Sequence, residues 1–195
     1  MGLALEKPLT YLDYAAIPRR EDEPRFELID GRIVMKAGAG RRHQRVVVEL
    51  TGQIREKLRG RRCELFIAPF DVRLPRPGQA ANDANDVLQP DLMAFCNPAN
   101  HDERGGLCAP EFVIEVLSPS GGAHDMVRKR RIYEAHGVLE YWIIDPINEV
   151  VHIHRLVDTR YVHESAEWEL SMTVAAVDGL SLDLAVLRDL LRDEA

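Results

Sequence analysis

A chain of 195 residues, 46% hydrophobic and 29% charged, has the composition of a globular protein with material for one full core, so residues 1–195 are expected to form a single domain. Its formal net charge of −7 opposes tight nonspecific binding to a polyanion, because Lys and Arg neutralising phosphates supply most such affinity. The longest apolar runs, such as VVVEL and EYWIIDP, fall far short of the about 20 residues a bilayer requires, and the N-terminal MGLALEKPLTYLDYAAIP lacks the basic start and long apolar centre of a secretory leader, so a cytoplasmic protein with no membrane partner is expected.

In chain order, LTYLDYAAIP predicts a short helix capped by Thr10, with Leu12, Ala15 and Ala16 at helical spacing and Pro18 as its stop. RFELIDGRIVMKA predicts a hairpin turning at Asp30-Gly31, with Glu27 in its first strand. From His43 to Leu58 the period changes: Val47, Leu50, Ile54 and Leu58 form one apolar helical stripe, and His43 projects from it at the N-terminal end. CELFIAPFDVRL reads as one strand, and RPGQAANDANDV as an exposed loop, either a lid or a hairpin tip. VLQPDLMAF, EFVIEVL, LEYWIID and VVHIHRL are four further β-like segments, with the helix HDMVRKRRIYEAHG between the second and third and Gly137 as its C-terminal stop. VDGLSLDLAVLRDLLRDEA adds a short strand and an amphipathic helix carrying Leu184, Leu187 and Leu191. The fold class implied is α/β (α+β): a mixed central β-sheet flanked by helices, with an N-terminal helix and hairpin.

Cys63, Cys96 and Cys108 are odd in number and form no C-x-x-C pair, which favours reduced, partly buried thiols over a disulfide framework or zinc knuckle. Basic residues gather at Arg19-Arg20, at Arg41-Arg42 with Arg45, at Arg59, Arg61 and Arg62, and along Arg128 to Arg131. Any one of these is most simply a solvated face, although such patches can hold a phosphate backbone. His152 and His154 share a strand face but lack a third ligand nearby, so they are expected to be structural or exposed.

Two carboxylates stand out. Asp91 in QPDLMAF and Glu115 in EFVIEVLSPS lie in segments that read as buried strands, where an ionised acid costs several kcal/mol unless paired, hydrogen-bonded or metal-bound. Alternation places Glu115 on the face of Val113 and Leu117, and Asp91 on that of Met93 and Phe95. Two hard carboxylates suit Mg²⁺ or Mn²⁺, which retain several waters. In the following helix Asp125, Lys129 and Tyr133 recur at i, i+4 and i+8, and the short SPSGG link keeps the helix start near the acids.

The ordered set FELIDGRI, His43 opening a helix, QPDLMAF, IEVLSPS, D-x-x-x-K-x-x-x-Y and GVLEYWIIDP resembles the Uma two family of restriction-endonuclease-like proteins, over roughly residues 8–158. That family belongs to the PD-(D/E)XK nuclease superfamily, whose core is a helix, a mixed sheet of about four strands and a second helix; the C-terminal strand and helix, residues 170–195, lie beyond it. The resemblance implies that Asp91 and Glu115 hold a divalent metal with help from the Val116 carbonyl. The superfamily lysine should stand at position 117, where this chain has Leu117; in similar proteins it migrates to the next helix, which points to Lys129. Glu27 would complete the metal shell through water, and His43 would contact phosphate or a metal-bound water.

The expectation is a Mg²⁺-dependent or Mn²⁺-dependent endonuclease cutting phosphodiester bonds in DNA. Two alternatives stay open: a catalytically inactive nuclease fold serving as a nucleic-acid-binding or interaction module, and a metal-dependent hydrolase of a small phosphorylated substrate, which the acidic net charge favours. Double-strand cleavage by a one-site protein is easiest in a homodimer, for which VVHIHRL or the C-terminal leucine helix would supply the interface.

Overall fold

In the computed structural model, which describes residues 7–18, 25–36, 38–118 and 123–192 (side chains from 126 onward in the last stretch), the first element is helix α1, Tyr11–Ala15. Thr10 and Asp13 form a reciprocal capping box, each side chain accepting the other's backbone N–H. Its buried face differs from the expected one: Tyr11 and Tyr14 turn inward and Leu12 is 53% exposed, because the two rings bury more apolar area than Leu12 and two alanines. Strands β1 (Phe26–Ile29) and β2 (Arg32–Met35) pair antiparallel across Asp30 (φ 50°) and Gly31 (φ 71°), as the Asp-Gly dipeptide requires. A side chain at Gly31 would also collide with Pro8.

Helix α2 (Arg41–Leu58) buries His43, Val46, Leu50, Ile54 and Leu58, with Val47 at the margin of that stripe. The next two segments depart from expectation. CELFIAPFDVRL divides into β3 (Glu64–Ile67) and β4 (Val72–Arg73), and VLQPDLMAF into β5 (Val87–Leu88) and β6 (Leu92–Phe95). Pro69 and Pro90, which have no amide hydrogen to continue a ladder, lie in the two breaks. The loop between β4 and β5 is a hairpin tip containing a 3-10 turn at Ala81–Asp83; it folds back toward α1, where Asn85 Nδ2 donates to the Leu9 carbonyl at 2.7 Å.

There follow β7 (His101–Asp102), β8 (Gly105–Gly106), β9 (Phe112–Val116), α3 (Ala123–His136, closed by Gly137 at φ 82°), β10 (Glu140–Asp145), β11 (Val150–Val157), β12 (Arg160–Glu167), β13 (Met172–Thr173), β14 (Ser181–Leu182) and α4 (Val186–Arg192). Strand β12, RYVHESAE, is unanticipated. It is a polar edge strand whose mostly exposed side chains give little alternation to detect.

Among the described residues, one six-stranded sheet has the order β2-β1-β5-β4-β8-β7 and the other β12-β11-β10-β9-β6-β3. In the second, β9 and β10 are parallel and joined through α3, and the remaining neighbours are antiparallel. Its Phe112, Ile114, Val116, Trp142 and Ile144 pack against α2 and α4; Met93, Val113, Tyr141 and Ile143 on the opposite face pack with Ile132 and Tyr133 of α3 and with Ile29, Val72 and Leu88 of the first sheet. The site-bearing chain segments therefore meet where α3 and both sheets adjoin.

Two expectations are revised by this packing. VVHIHRL pairs with β10 on one side and β12 on the other, and Leu187 and Leu191 are buried in the internal core, so the two surfaces assigned to a dimer are used within the chain. Cys63 and Cys96 form a disulfide, because the register Glu64↔Phe95 sets them opposite one another although 33 residues separate them; Cys108 is free. The Arg19-Arg20 pair, residues 119–122 of the SPSGG link and the Asp125 side chain lie outside the described residues. No helix among those described is long and apolar enough to cross a membrane.

Candidate active site

The register Leu92↔Ile114 between β6 and β9 sets Asp91, one residue before β6, opposite Glu115 on the same sheet face. Both are buried, at 5% and 8% exposure. Like charges directly across a strand pair destabilise it, so cations and N–H groups must hold this pair. Asp91 Oδ2 accepts from the Val116 N–H and lies 2.9 Å from His43 Nε2 in the first turn of α2. Lys36 Nζ, just past β2, is 3.6 Å from Asp91 Oδ1 and donates to the Gln89 carbonyl at 2.6 Å. Burial alone raises the Asp91 carboxyl, but the His43 contact, the Lys36 charge and the Val116 N–H bring it down to about 2.

Glu115 is held differently. Its Oε1 accepts from Lys129 Nζ at 2.9 Å and from Tyr133 Oη at 3.0 Å, both on the inner face of α3. Burial pushes its carboxyl up; the Lys129 charge opposes that shift, and the Asp91 charge adds to it. Lys129 Nζ also donates to Glu27 Oε1 at 3.2 Å, an oxygen that accepts the Gln89 N–H at 2.8 Å as well. Burial and the neighbouring Glu115 charge raise the Tyr133 phenol well above its ordinary value, so it donates here as a neutral hydroxyl.

The structure thus brings together Glu27, His43, Asp91, Glu115, Val116 and Lys129, which the sequence offered as separate candidates. Val116 contributes its N–H to Asp91. Leu117, in the superfamily lysine's place, packs against the α3-side core, and the ammonium group near Glu115 comes from Lys129 instead. Lys36 was overlooked. A signal for it existed: in the register set by the Asp30-Gly31 turn, Glu27 faces Val34, and alternation carries the same face on to Lys36.

Burial of an acid does not by itself mark a site. Glu140 is fully buried, yet Trp142 Nε1, Arg155 Nε and the Ala176 N–H all donate to it, at 2.7, 3.2 and 2.8 Å. By contrast Glu115 Oε2 accepts no hydrogen bond among the described residues, and the buried His43 Nδ1 has no partner there. Among those residues no three His, Cys, Asp or Glu side chains converge as a ready metal cage. The donor set therefore fits a hard divalent ion held by two carboxylates and water, the habit of Mg²⁺ and Mn²⁺, and does not fit a closed transition-metal site. His163 of β12 joins His152 and His154 on one sheet face, also without forming a metal-holding group.

The chain is 27% identical over 170 residues to the uncharacterized protein slr1290 of Synechocystis sp., covering 87% of this chain and 82% of that one. It is likewise 27% identical over 180 residues to the uncharacterized protein sll1609 of the same organism, covering 88% and 97% respectively. A crystal structure from Anabaena variabilis, described as "a putative nuclease belonging to DUF820", superposes with a TM-score of 0.73 at 22% identity, over 93% of this chain and 98% of the other, which establishes a shared fold. Residues 11–185 match the Uma2 family model, "Putative restriction endonuclease", and with nearly the whole fold inside that match the chain belongs to this family.

Proposed function

We propose that the protein is a divalent-metal-dependent endonuclease that hydrolyses phosphodiester bonds in DNA as a single restriction-endonuclease-like domain, with Asp91 and Glu115 as its metal-holding acids. The observation that carries this reading is their placement directly opposite one another, buried, in an arrangement that costs stability unless a cation lies between them. The Val116 carbonyl is the third oxygen of the proposed set. When bound, such an ion neutralises charge on the phosphate and acidifies an attacking water.

The chain's own groups do the rest. Val116 N–H and His43 fix the rotamer of Asp91, and Lys129 with Tyr133 fixes that of Glu115, so both acids are oriented before substrate arrives. Lys129 steadies the attacking oxygen, and Glu27, sharing that ammonium, holds Lys129 in place. His43 and Lys36 lie on the Asp91 side, where they meet a phosphate oxygen. Arg41 and Arg42 open α2 with no acid in its first turn, a placement that works against the helix dipole and suits an anionic partner at that end.

The test is plasmid and oligonucleotide cleavage with Mg²⁺, Mn²⁺ or EDTA. Asp91→Asn and Glu115→Gln are each expected to abolish metal-dependent cutting in chains that still fold; cutting that survives both removes these acids from the site. One observation favours a second reading, a metal-independent binding module: Lys129 already offsets the charge of Glu115 without a metal. DNA affinity indifferent to EDTA, together with no cleavage under any metal, selects that reading.

A further inference from the structure

Arg130 and Arg131 of α3 and Arg160 of β12 line an open cleft of about 580 Å³ with Glu134, Ala135 and Thr159. Three of its six lining residues are cations, in a chain of net charge −7. Glu134 is the single acid in the lining, and it is already engaged: its Oε1 accepts the Tyr161 N–H at 2.7 Å and its Oε2 lies 3.6 Å from Arg160, which is 83% exposed. Neither Arg130 nor Arg131 has a carboxylate within ion-pair distance among the described residues.

On the α3-facing side of the sheet, β11 and β12 pair His154 with His163 and His152 with Ser165, and the rings of His154 and His163 stack with centroids 4.6 Å apart. Arg130 lies close enough to both rings for its charge to disfavour their protonation. Ser165 Oγ bridges His152 Nδ1 at 2.8 Å and His163 Nε2 at 3.2 Å. The nearby Glu164 points to the opposite sheet face and pairs with Arg155. The registers Glu115↔Ile143, Ile143↔His152 and His152↔Ser165 form one row across the sheet, so Ser165 lies three strand spacings, about 14 Å, from Glu115. Arg160 lies five residues back along β12, about 17 Å further.

We propose that this surface, Arg131 and Arg160 at its far end, Arg130 in the middle and His152, His163 and Ser165 nearest the acids, is a track for consecutive phosphates of the DNA strand whose scissile bond lies at Asp91 and Glu115. The diagonal of about 22 Å matches the axial length of about six base pairs of duplex at 3.4 Å of rise. The proposal rests on the nuclease reading for its register, but its charge argument stands on the cleft alone. Contacts of this kind position a strand without reading its sequence.

The experiment is fluorescence anisotropy with a 24-base-pair duplex in EDTA, from 50 to 200 mM salt, on the full chain and on Arg131→Ala/Arg160→Ala, both at exposed positions. The slope of log affinity against log salt is expected to fall by about 1.8, close to 0.9 per arginine. A companion Arg130→Gln variant, with folding checked by circular dichroism, is expected to lose a further 0.9 or so. Where the wild type hydrolyses bis(4-nitrophenyl) phosphate, a substrate too small to reach the cleft, the double variant is expected to retain that rate. An unchanged salt slope, no DNA binding by the wild type at 50 mM salt, or an equal loss of affinity for polyglutamate each overturns the track. Salt-dependent binding that the arginine variants weaken, in a protein that cuts nothing, supports the track and removes the nuclease reading.

Discussion

Lys129 Nζ stands 2.9 Å from Glu115 Oε1 and 3.2 Å from Glu27 Oε1, so one buried ammonium ties a strand of each sheet to helix α3. Removing it leaves two buried carboxylates uncompensated. Lys129→Met is therefore expected to destabilise the fold by about 3–5 kcal/mol, and Glu27→Gln in the same chain to recover part of that loss. Urea unfolding measures both; a single-variant cost near zero shows that water already reaches this group.

Lys36 is 20% exposed and its Nζ lies 3.6 Å from Asp91 Oδ1. Its substitution by glutamine should cost about 1–3 kcal/mol of stability, since buried Asp91 loses one partner but keeps the Val116 N–H and His43. Metal-dependent cleavage should fall about a hundredfold, the scale of losing one charged donor at a phosphate. Full turnover in Lys36→Gln assigns this lysine to structure alone.

His154 provides a pH prediction. Burial, with the nearby His163 and Arg130 charges, lowers its imidazole from 6.5 to about 4. Above pH 6.5 folded and unfolded chains both carry it neutral, so its contribution is fully present. As pH falls from 6.5 toward 4 the unfolded chain takes up a proton that the folded chain refuses, and stability declines. His154→Phe should flatten that acid limb between pH 7.5 and 5, and it also removes a buried Nδ1 that has no partner among the described residues. Identical urea midpoints against pH for variant and wild type would falsify the assignment.

The Cys63–Cys96 disulfide closes a span of 33 residues that includes β3 through β6. In the chain-entropy model such a loop contributes about 3–4 kcal/mol. Reduction, or the Cys63→Ser/Cys96→Ser pair, is expected to lower the denaturation midpoint accordingly without abolishing metal-dependent cleavage, because the bond lies at the end of β6 remote from Asp91. A midpoint unmoved by reductant shows that the cross-link does not constrain the unfolded chain in solution.

Much of the site was legible because its signals are local. Thr10 and Asp13 cap a helix within three residues, Asp30-Gly31 turns a hairpin within two, and alternation through EFVIEVL is enough to set Glu115 among apolar neighbours. Asp91 announced itself in the same way, as did Lys129 through its place one helical turn before Tyr133. Helix α2 was readable from its stripe, although the choice of Val46 over Val47 for the buried row depended on what α2 packs against.

The sequence by itself thus determined the acids, the helices, the hairpin and the order in which they follow, since these depend on periods and turns a few residues long. Tertiary structure alone decided that two apparently continuous strands each divide between sheets, that Cys63 meets Cys96, that Lys36 joins Asp91, and that His163 on an unanticipated strand extends the histidine row toward three arginines. The physical reason is common to all of these: each depends on strand register or layer packing between segments separated in the sequence, and neither residue of such a pair carries a local mark of its partner.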